Sequence, residues 1–224
     1  MSNGVYGRAA TGLTNDPSFA ANASVAKIGA AGEVRTAEIL NGFGLKAAVL
    51  NDLRVPIPGF SSNIDHVVVS GKRVLVLDTK VWQPGFYWTL FGVNRRGGTR
   101  VDHTAKDQAW LQQALITYLR GTGAEVLTPA QVVWSSRKNA VVTLLLLRVP
   151  GARLIHGEHL VGFVKRFIGR TPADPVITMK LNELCVRAKP RAAAAGRPRT
   201  PQPAGPDPFD AAPRFTTTST DPFN

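Results

Sequence analysis

Internal disulfides are excluded in this chain, because it carries one cysteine, Cys185. A lone thiol fits a reducing compartment, and a cytoplasmic protein is the expectation. Long apolar runs are scarce as well. The longest, Leu144 to Leu147 with Val141 and Val142 ahead of Thr143, falls far short of the ~20 residues a membrane-spanning helix needs. No apolar stretch follows Met1, so no secretory signal is expected. Acidic residues are the third shortage, 15 Asp and Glu against 27 Lys and Arg, for a net charge of +12. Such an excess points to a polyanionic partner, nucleic acid before a membrane surface. Against these absences stands a hydrophobic content of 44%, enough to build a core and to exclude a wholly disordered chain.

Composition divides the chain into three. Residues 1–23 carry Gly, Ala, Asn, Ser and Thr without periodicity and are expected to form a flexible arm. Residues 189–224 hold 8 of the 16 prolines, the run Ala192 to Ala195 and a Thr-rich stretch, the composition of a disordered tail. Between them, residues 24–188 hold 21 Lys and Arg against 11 Asp and Glu. The expected domain is therefore itself basic, and the tail is not the source of the charge. Within it, Ser24 can cap a helix to about Phe43, closed by Gly44. "KAAVLNDLRVPI" reads as a strand, followed by two apolar runs hinged at Ser70-Gly71 and by the aromatic-rich strand "PGFYWTLFGV". Leu111, Leu115 and Leu119 at helical spacing place a second helix over about 103–120, with Gly121 as its stop. "QVVWSS" and "AVVTLLLLRV" read as strands and "GEHLVGFVKRFIG" as a short helix. The order α-β-β-β-α-β predicts an α/β fold, a mixed sheet flanked by helices.

Three polar residues stand where such a sheet should be most apolar. In "NIDHVVVSGKRVLVLDTK", Asp65 interrupts the first run, and Asp78 and Lys80 end the second. If Val69 pairs with Lys72, Asp65 faces Val76 and Asp78 is its diagonal neighbour. If the loop takes four residues, Asp65 faces Asp78 directly. Both registers put the three groups on one face, roughly 5–8 Å apart; a three-residue loop with a bulge would not. Two close carboxylates repel, and burying them is costly unless something neutralises them. Lys80 could neutralise one, as a structural ion pair at a strand end. A hard divalent cation could neutralise both. The spacing leaves both readings open.

The pattern of an acid, twelve residues, then acid-x-Lys resembles the PD-(D/E)xK nuclease signature. The chain as a whole resembles the nuclease-related domain, or NERD, family. The matching pieces are "GAAGE" (Gly29 to Glu33) opening the first helix, "VLNDLRVP", "NIDHVVV", "VLVLDTKVWQPG" and Gln108, in that order within about residues 24–170. It departs from the wider signature in carrying Asp78 where Glu is commoner, and Ile64 ahead of Asp65 where Pro is usual. The resemblance implies a restriction-endonuclease-like fold and a nuclease that hydrolyses DNA with Mg²⁺ or Mn²⁺. It also implies roles. Asp65 and Asp78 would ligate the metal, with the backbone carbonyl of Thr79 as a further ligand. Glu33 would hold the metal's water shell or a second metal. Lys80 would activate or orient water and stabilise charge on the phosphate, and Gln108 would bond Lys80 or a phosphate. DNA is the expected partner, with RNA left open, and no membrane.

Other features are weaker. His66 should point to the opposite face from Asp65, as a core or surface histidine. His156 and His159 have a metal-like spacing without a third ligand. "NRRGGTR" lacks the ending of a phosphate-binding loop, so Arg95, Arg96 and Arg100 are read as contacts to nucleic-acid phosphates or as a solvated hairpin tip. Trp82, Trp88 and Trp134 read as core, although Trp82 stands close enough to Lys80 to stack on a base. Asp-Pro-Phe occurs twice in the tail, at Asp207 to Phe209 and Asp221 to Phe223, a candidate contact for a protein partner that composition alone also explains. A rival reading of the whole chain is a catalytically silent nucleic-acid-binding or adaptor module on the same fold.

Overall fold

The computed structural model describes residues 3–11, 23–60, 62–104 and 108–186. In chain order these form β1 (Gly4–Tyr6), α1 (Ala23–Asn41), β2 (Ala48–Arg54), β3 (Asn63–Ser70), β4 (Arg73–Trp82), β5 (Gly85–Leu90), β6 (Val93–Arg96) and β7 (Thr99–Arg100). There follow α2 (Ala109–Tyr118), β8 (Glu125–Val126), β9 (Ala130–Ser135), β10 (Val142–Leu146), β11 (Arg153–His156), α3 (Leu160–Phe167) and α4 (Pro175–Glu183). The main sheet runs β1-β2-β3-β4-β9-β11, with β8 also pairing β4. β2, β3 and β4 are antiparallel neighbours, whereas β4, β9 and β11 run parallel. The result is a mixed sheet with helices on both faces, consistent with a restriction-endonuclease-like fold.

Period-two alternation explains the layers. On one face Val67, Val69, Val74 and Val76 meet Leu111, Leu115 and Leu119 of α2 and Ile177 and Leu181 of α4. On the other, Val68, Leu75, Leu77 and Trp134 meet Leu40 of α1 and Leu160 and Val164 of α3. Strands buried on both faces read as continuous apolar runs, which is why β3 and β4 look so uniform in sequence. The hinge is a two-residue turn, Gly71-Lys72, between paired Ser70 and Arg73. Gly71 takes φ +57° there, a left-handed conformation that glycine adopts without penalty.

Several expectations are refined. The aromatic-rich strand does not join the main sheet: β5, β6 and β7 build a second sheet with β10, in the order β10-β5-β6-β7. Its apolar side packs as a separate cluster over Trp82 and Val133. The arm expected over residues 1–23 is structured near its start, where Gly4, Val5 and Tyr6 pair in parallel with Ala48, Val49 and Leu50. An unpaired edge of β2 offers backbone partners to any extended segment in reach, so weak side-chain periodicity did not prevent pairing. The second helix is shorter than expected. Asp102–Thr104 is a separate 3₁₀ turn, and the Gln108 amide donates to the Pro150 carbonyl at 3.1 Å rather than into a helix. No helix among the described residues is long and apolar enough to cross a membrane. The tail with both Asp-Pro-Phe triplets lies outside the described residues.

Candidate active site

The β3–β4 register is the one in which Asp65 faces Asp78, reached with a two-residue turn at Gly71-Lys72 and not with a four-residue loop or a hinge at Ser70-Gly71. His66 pairs with Leu77 and Val67 with Val76, so Asp65 stands opposite Asp78, one step beyond the last paired residues. On the next strand, Asp78 pairs with Gln131 of β9 and Lys80 with Val133. On the other side β2 continues the row. Asn51 pairs with His66 and Leu53 with Ile64, which sets Asp52 beside Asp65. Three acids and a glutamine thus cross four strands in line. Asp52 takes φ +53° and is 4% exposed, and Asn63 Nδ2 donates to its Oδ1 at 2.7 Å. Neither Asp52 nor Gln131 was singled out in sequence, although the strand register would have found both.

Asp65 does more than face Asp78. Its Oδ2 accepts from the Thr79 backbone amide at 2.6 Å, so the side chain fills the fork where β3 and β4 separate. The Thr79 carbonyl, on the same edge of the strand as that N–H, faces the same fork. Lys80 Nζ donates to Asp78 Oδ1 at 2.7 Å, and Gln108 Nε2 donates to Asp78 Oδ2 at 2.7 Å. Gln108, at the N-cap position of α2, makes no capping bond with its side chain and reaches the sheet instead. Gln108 Oε1 and Gln131 Oε1 are buried without a hydrogen-bond partner among the described residues.

Glu33 arrives from the opposite layer. α1 can lie close to the sheet because residue 32 is glycine: a Cβ there would stand 2.3 Å from Val81 Cγ2. One turn on, Thr36 Oγ1 accepts from Thr79 Oγ1 at 3.0 Å and from Trp134 Nε1 at 2.9 Å. It donates to the Gly32 carbonyl at 3.0 Å, as helical threonines do. These contacts fix the helix against β4 and β9 and bring Glu33 to the acidic row.

Electrostatics record the crowding. Burial, then the charges of Asp65 and Asp52, push the Glu33 carboxyl up to about 9, against a weaker opposing pull from Lys80. Burial and Asp78 push Asp65 up to about 7, despite Lys80 and the Thr79 amide. For Lys80, burial works downward, but Asp78 and Asp65 outweigh it and hold the ammonium above its ordinary range. His66 lies on the other face, fully buried, with Nδ1 2.8 Å from Asn51 Oδ1. Burial drives it down to about 3, so it is a neutral core histidine.

Chemically the donors suit a hard divalent cation: they are carboxylate and carbonyl oxygens, and two of the carboxyls are pushed up by burial and then by neighbouring acids. Asp65, Asp78, Glu33 and the Thr79 carbonyl could hold such an ion. As placed, no three His, Cys, Asp or Glu side chains among the described residues converge on one point. Both Asp78 oxygens are engaged by Lys80 and Gln108. Lys80 therefore supplies the local counter-charge, and an ion bound there would share Asp78 with Lys80 and Gln108.

The structure gathers Glu33, Asp65, Asp78, Thr79, Lys80 and Gln108. It does not bring Trp82 to them. Although Trp82 shares the Lys80 face, the second sheet packs over that end of β4; Trp82 is 5% exposed and its ring stacks on Tyr87 at 5.1 Å between centroids. A base cannot reach it, which corrects the expectation of a stacking residue. Arg95, Arg96 and Arg100 lie on the β6–β7 hairpin of the second sheet, with Arg95 paired to Arg100. Arg95 Nη1 donates to the Gly98 carbonyl, Arg96 to Gln83 and Arg100 to Asp102. His156 and His159 meet edge to face, 5.7 Å between ring centroids.

Residues 28–135 match the family model of the nuclease-related domain. This segment belongs to that family. The nuclease-related domain runs from the first half of α1 to the last residue of β9, and includes every residue of the acidic row with Glu33, Lys80 and Gln108. No curated protein and no solved structure matches the chain.

Proposed function

We propose that the protein is a metal-dependent nuclease that hydrolyses phosphodiester bonds in DNA. The observation that carries this reading is the placement of Asp65 directly across from Asp78, with Lys80 and Gln108 on the second acid and Glu33 approaching from α1. A structural ion pair needs one acid and one base. A row of acids pushed up by burial and by one another is a poor device for stability and a suitable one for a cation. The nuclease-related family match and the net charge of +12 support the same reading.

Mg²⁺ or Mn²⁺ held by Asp65, Asp78, Glu33 and the Thr79 carbonyl would supply Lewis-acid stabilisation of the phosphate and a more acidic water. The chain's own residues do the rest. Lys80, held as an ammonium, offsets negative charge developing on the phosphoryl oxygens and orients the attacking water rather than taking its proton. Gln108 fixes the rotamer of Asp78. Arg95, Arg96 and Arg100 offer a basic surface for phosphates away from the reacting bond.

One observation favours a second reading, a binding module without chemistry: both Asp78 oxygens already have protein partners. Incubation of the purified protein with supercoiled plasmid and linear DNA, in Mg²⁺, Mn²⁺ or EDTA, separates the two. Metal-dependent cleavage is expected. Binding without cleavage in either metal would establish the silent module.

A further inference from the structure

A second concentration of positive charge lies beyond the acidic row. Strands β4, β9 and β11 are parallel, so their carboxyl ends form one rim, the place where open α/β sheets receive ligands. On this rim is a groove of about 870 Å³ lined by Arg35, Val133, Ser135, Arg137, Lys138, His156, Glu158 and His159, among others. That volume lies within the range of ligand sites, ~300–1,000 Å³. Its lining residue Val133 is the strand partner of Lys80, so the groove begins one strand away from the proposed catalytic lysine.

The groove is built rather than incidental. The Arg35 guanidinium lies over the Trp134 ring, 3.7 Å from its centroid, a contact that uses the guanidinium's charge and not its N–H donors. Trp134 is held by Thr36, the same hydroxyl that receives Thr79. Behind the indole sits Gly157, where a Cβ would come within 2.4 Å of three ring atoms. Only glycine allows the turn between His156 and Glu158 to close on the tryptophan. Arg137 and Lys138 follow β9 in a turn fixed by Ser135, whose Oγ donates to the Arg137 carbonyl at 2.9 Å. Among the described residues, Arg35, Arg137 and Lys138 meet no carboxylate in an ion pair. Among the lining residues described, Glu158 is the one acid.

We propose that this groove binds the phosphodiester backbone of nucleic acid beside Lys80, and so delivers the substrate strand to the acidic row. The proposal rests on the nuclease reading for its direction but not for its test. Separated, unpaired cations along a rim match a chain of regularly spaced monoanions. The position at the carboxyl ends of β9 and β11 is on the strand that pairs with the Lys80 segment of β4, whereas Arg95, Arg96 and Arg100 lie on the second sheet. Apart from Arg35, Val133 and Ser135, the lining residues named lie outside the segment that matches the nuclease-related family.

The test is binding of a labelled duplex oligonucleotide in EDTA, titrated with salt. Arg137 and Lys138 are exposed, so Arg137→Ala with Lys138→Ala should fold normally. The double variant should flatten the slope of log affinity against log salt by about 1.8, roughly 0.9 for each phosphate no longer neutralised. Arg35→Ala should add to the loss. An unchanged slope in the Arg137 and Lys138 variant overturns the groove, whatever a cleavage assay reports. Flattening by Arg95→Ala with Arg100→Ala and not by the groove variant overturns it as well. If wild type binds with the expected slope but cleaves nothing in Mg²⁺ or Mn²⁺, the hydrolytic reading falls and the groove stands.

Discussion

Lys80 has one carboxylate at 2.7 Å and two more acids acting on it, and its removal strips the acidic row of the ammonium that offsets it. Lys80→Ala should lower plasmid cleavage by about 10²-fold or more, the size of effect seen when one transition-state donor is removed. DNA affinity should barely change, because one charge of a strongly basic protein is removed. Cleavage near wild type would exclude Lys80 from the chemistry. Asp65 gives a prediction of opposite sign. Its carboxyl is moved from an ordinary 3.8 to about 7, so between these values the folded state keeps a proton that the unfolded state releases. Stability of the metal-free protein should therefore fall as pH rises through that window. Glu33, moved from 4.5 to about 9, should extend the fall to higher pH. Asp65→Asn keeps an acceptor for the Thr79 amide and has no charge to bury. In EDTA its Tm should exceed that of wild type at pH 8, and the gap should close near pH 4. A gap independent of pH would show that burial of the Asp65 charge is not what strains this site. In wild type, added Mg²⁺ should restore Tm at pH 8.

At the scale of elements, α1 is the piece most exposed to a single change. Gly32→Ala puts a methyl 2.3 Å from Val81 Cγ2, and a β-branched strand residue cannot easily turn away. The helix must then lift, at about 1–3 kcal/mol for overpacking, and carry Glu33 with it. Thermal melts should show the loss, with Gly32→Ala and Val81→Ala together restoring much of it. Failure of that rescue would place the strain elsewhere. Elements also mark the limits of a reading by pattern. The β3 and β4 runs, their turn and the leucine spacing of α2 were legible because each carries a strong periodic signal. Helix α4 is marked by its start: Asp174 accepts from the amides of Val176 and Ile177, and Pro175 follows at the first helical position. That N-cap and Pro pairing is a readable start signal. β11 is only Arg153–His156, too short for periodicity to find, and pairing with β9 is what defines it.

For the whole molecule, the last described backbone contact to the sheet is the Val186 amide on the Asp52 carbonyl at 2.8 Å. Residues 24–188 keep most of the positive charge, 21 basic residues against 11 acidic. Removal of residues 189–224 should therefore leave Tm, metal-dependent cleavage and the steep salt dependence of DNA binding close to those of the full chain. Loss of cleavage on truncation would make the tail part of the proposed enzyme.

By itself the sequence determined the local facts. Net charge, the β3–β4 hairpin with Asp65, Asp78 and Lys80, and the family resemblance carried on contiguous motifs all follow from neighbours in the chain. Side-chain period and turn chemistry act over a few residues, and those are visible in a string of letters. Only the tertiary structure decided what distant segments share. It brought Glu33 across from another layer through Gly32 and Thr36, and set Asp52 and Gln131 in line with the two acids. It also took Trp82 away by laying a second sheet over it, and joined Arg35 to Arg137 and Lys138 along one rim. Each of these depends on strand order and on which layer covers which face, and packing of the whole core fixes both at once.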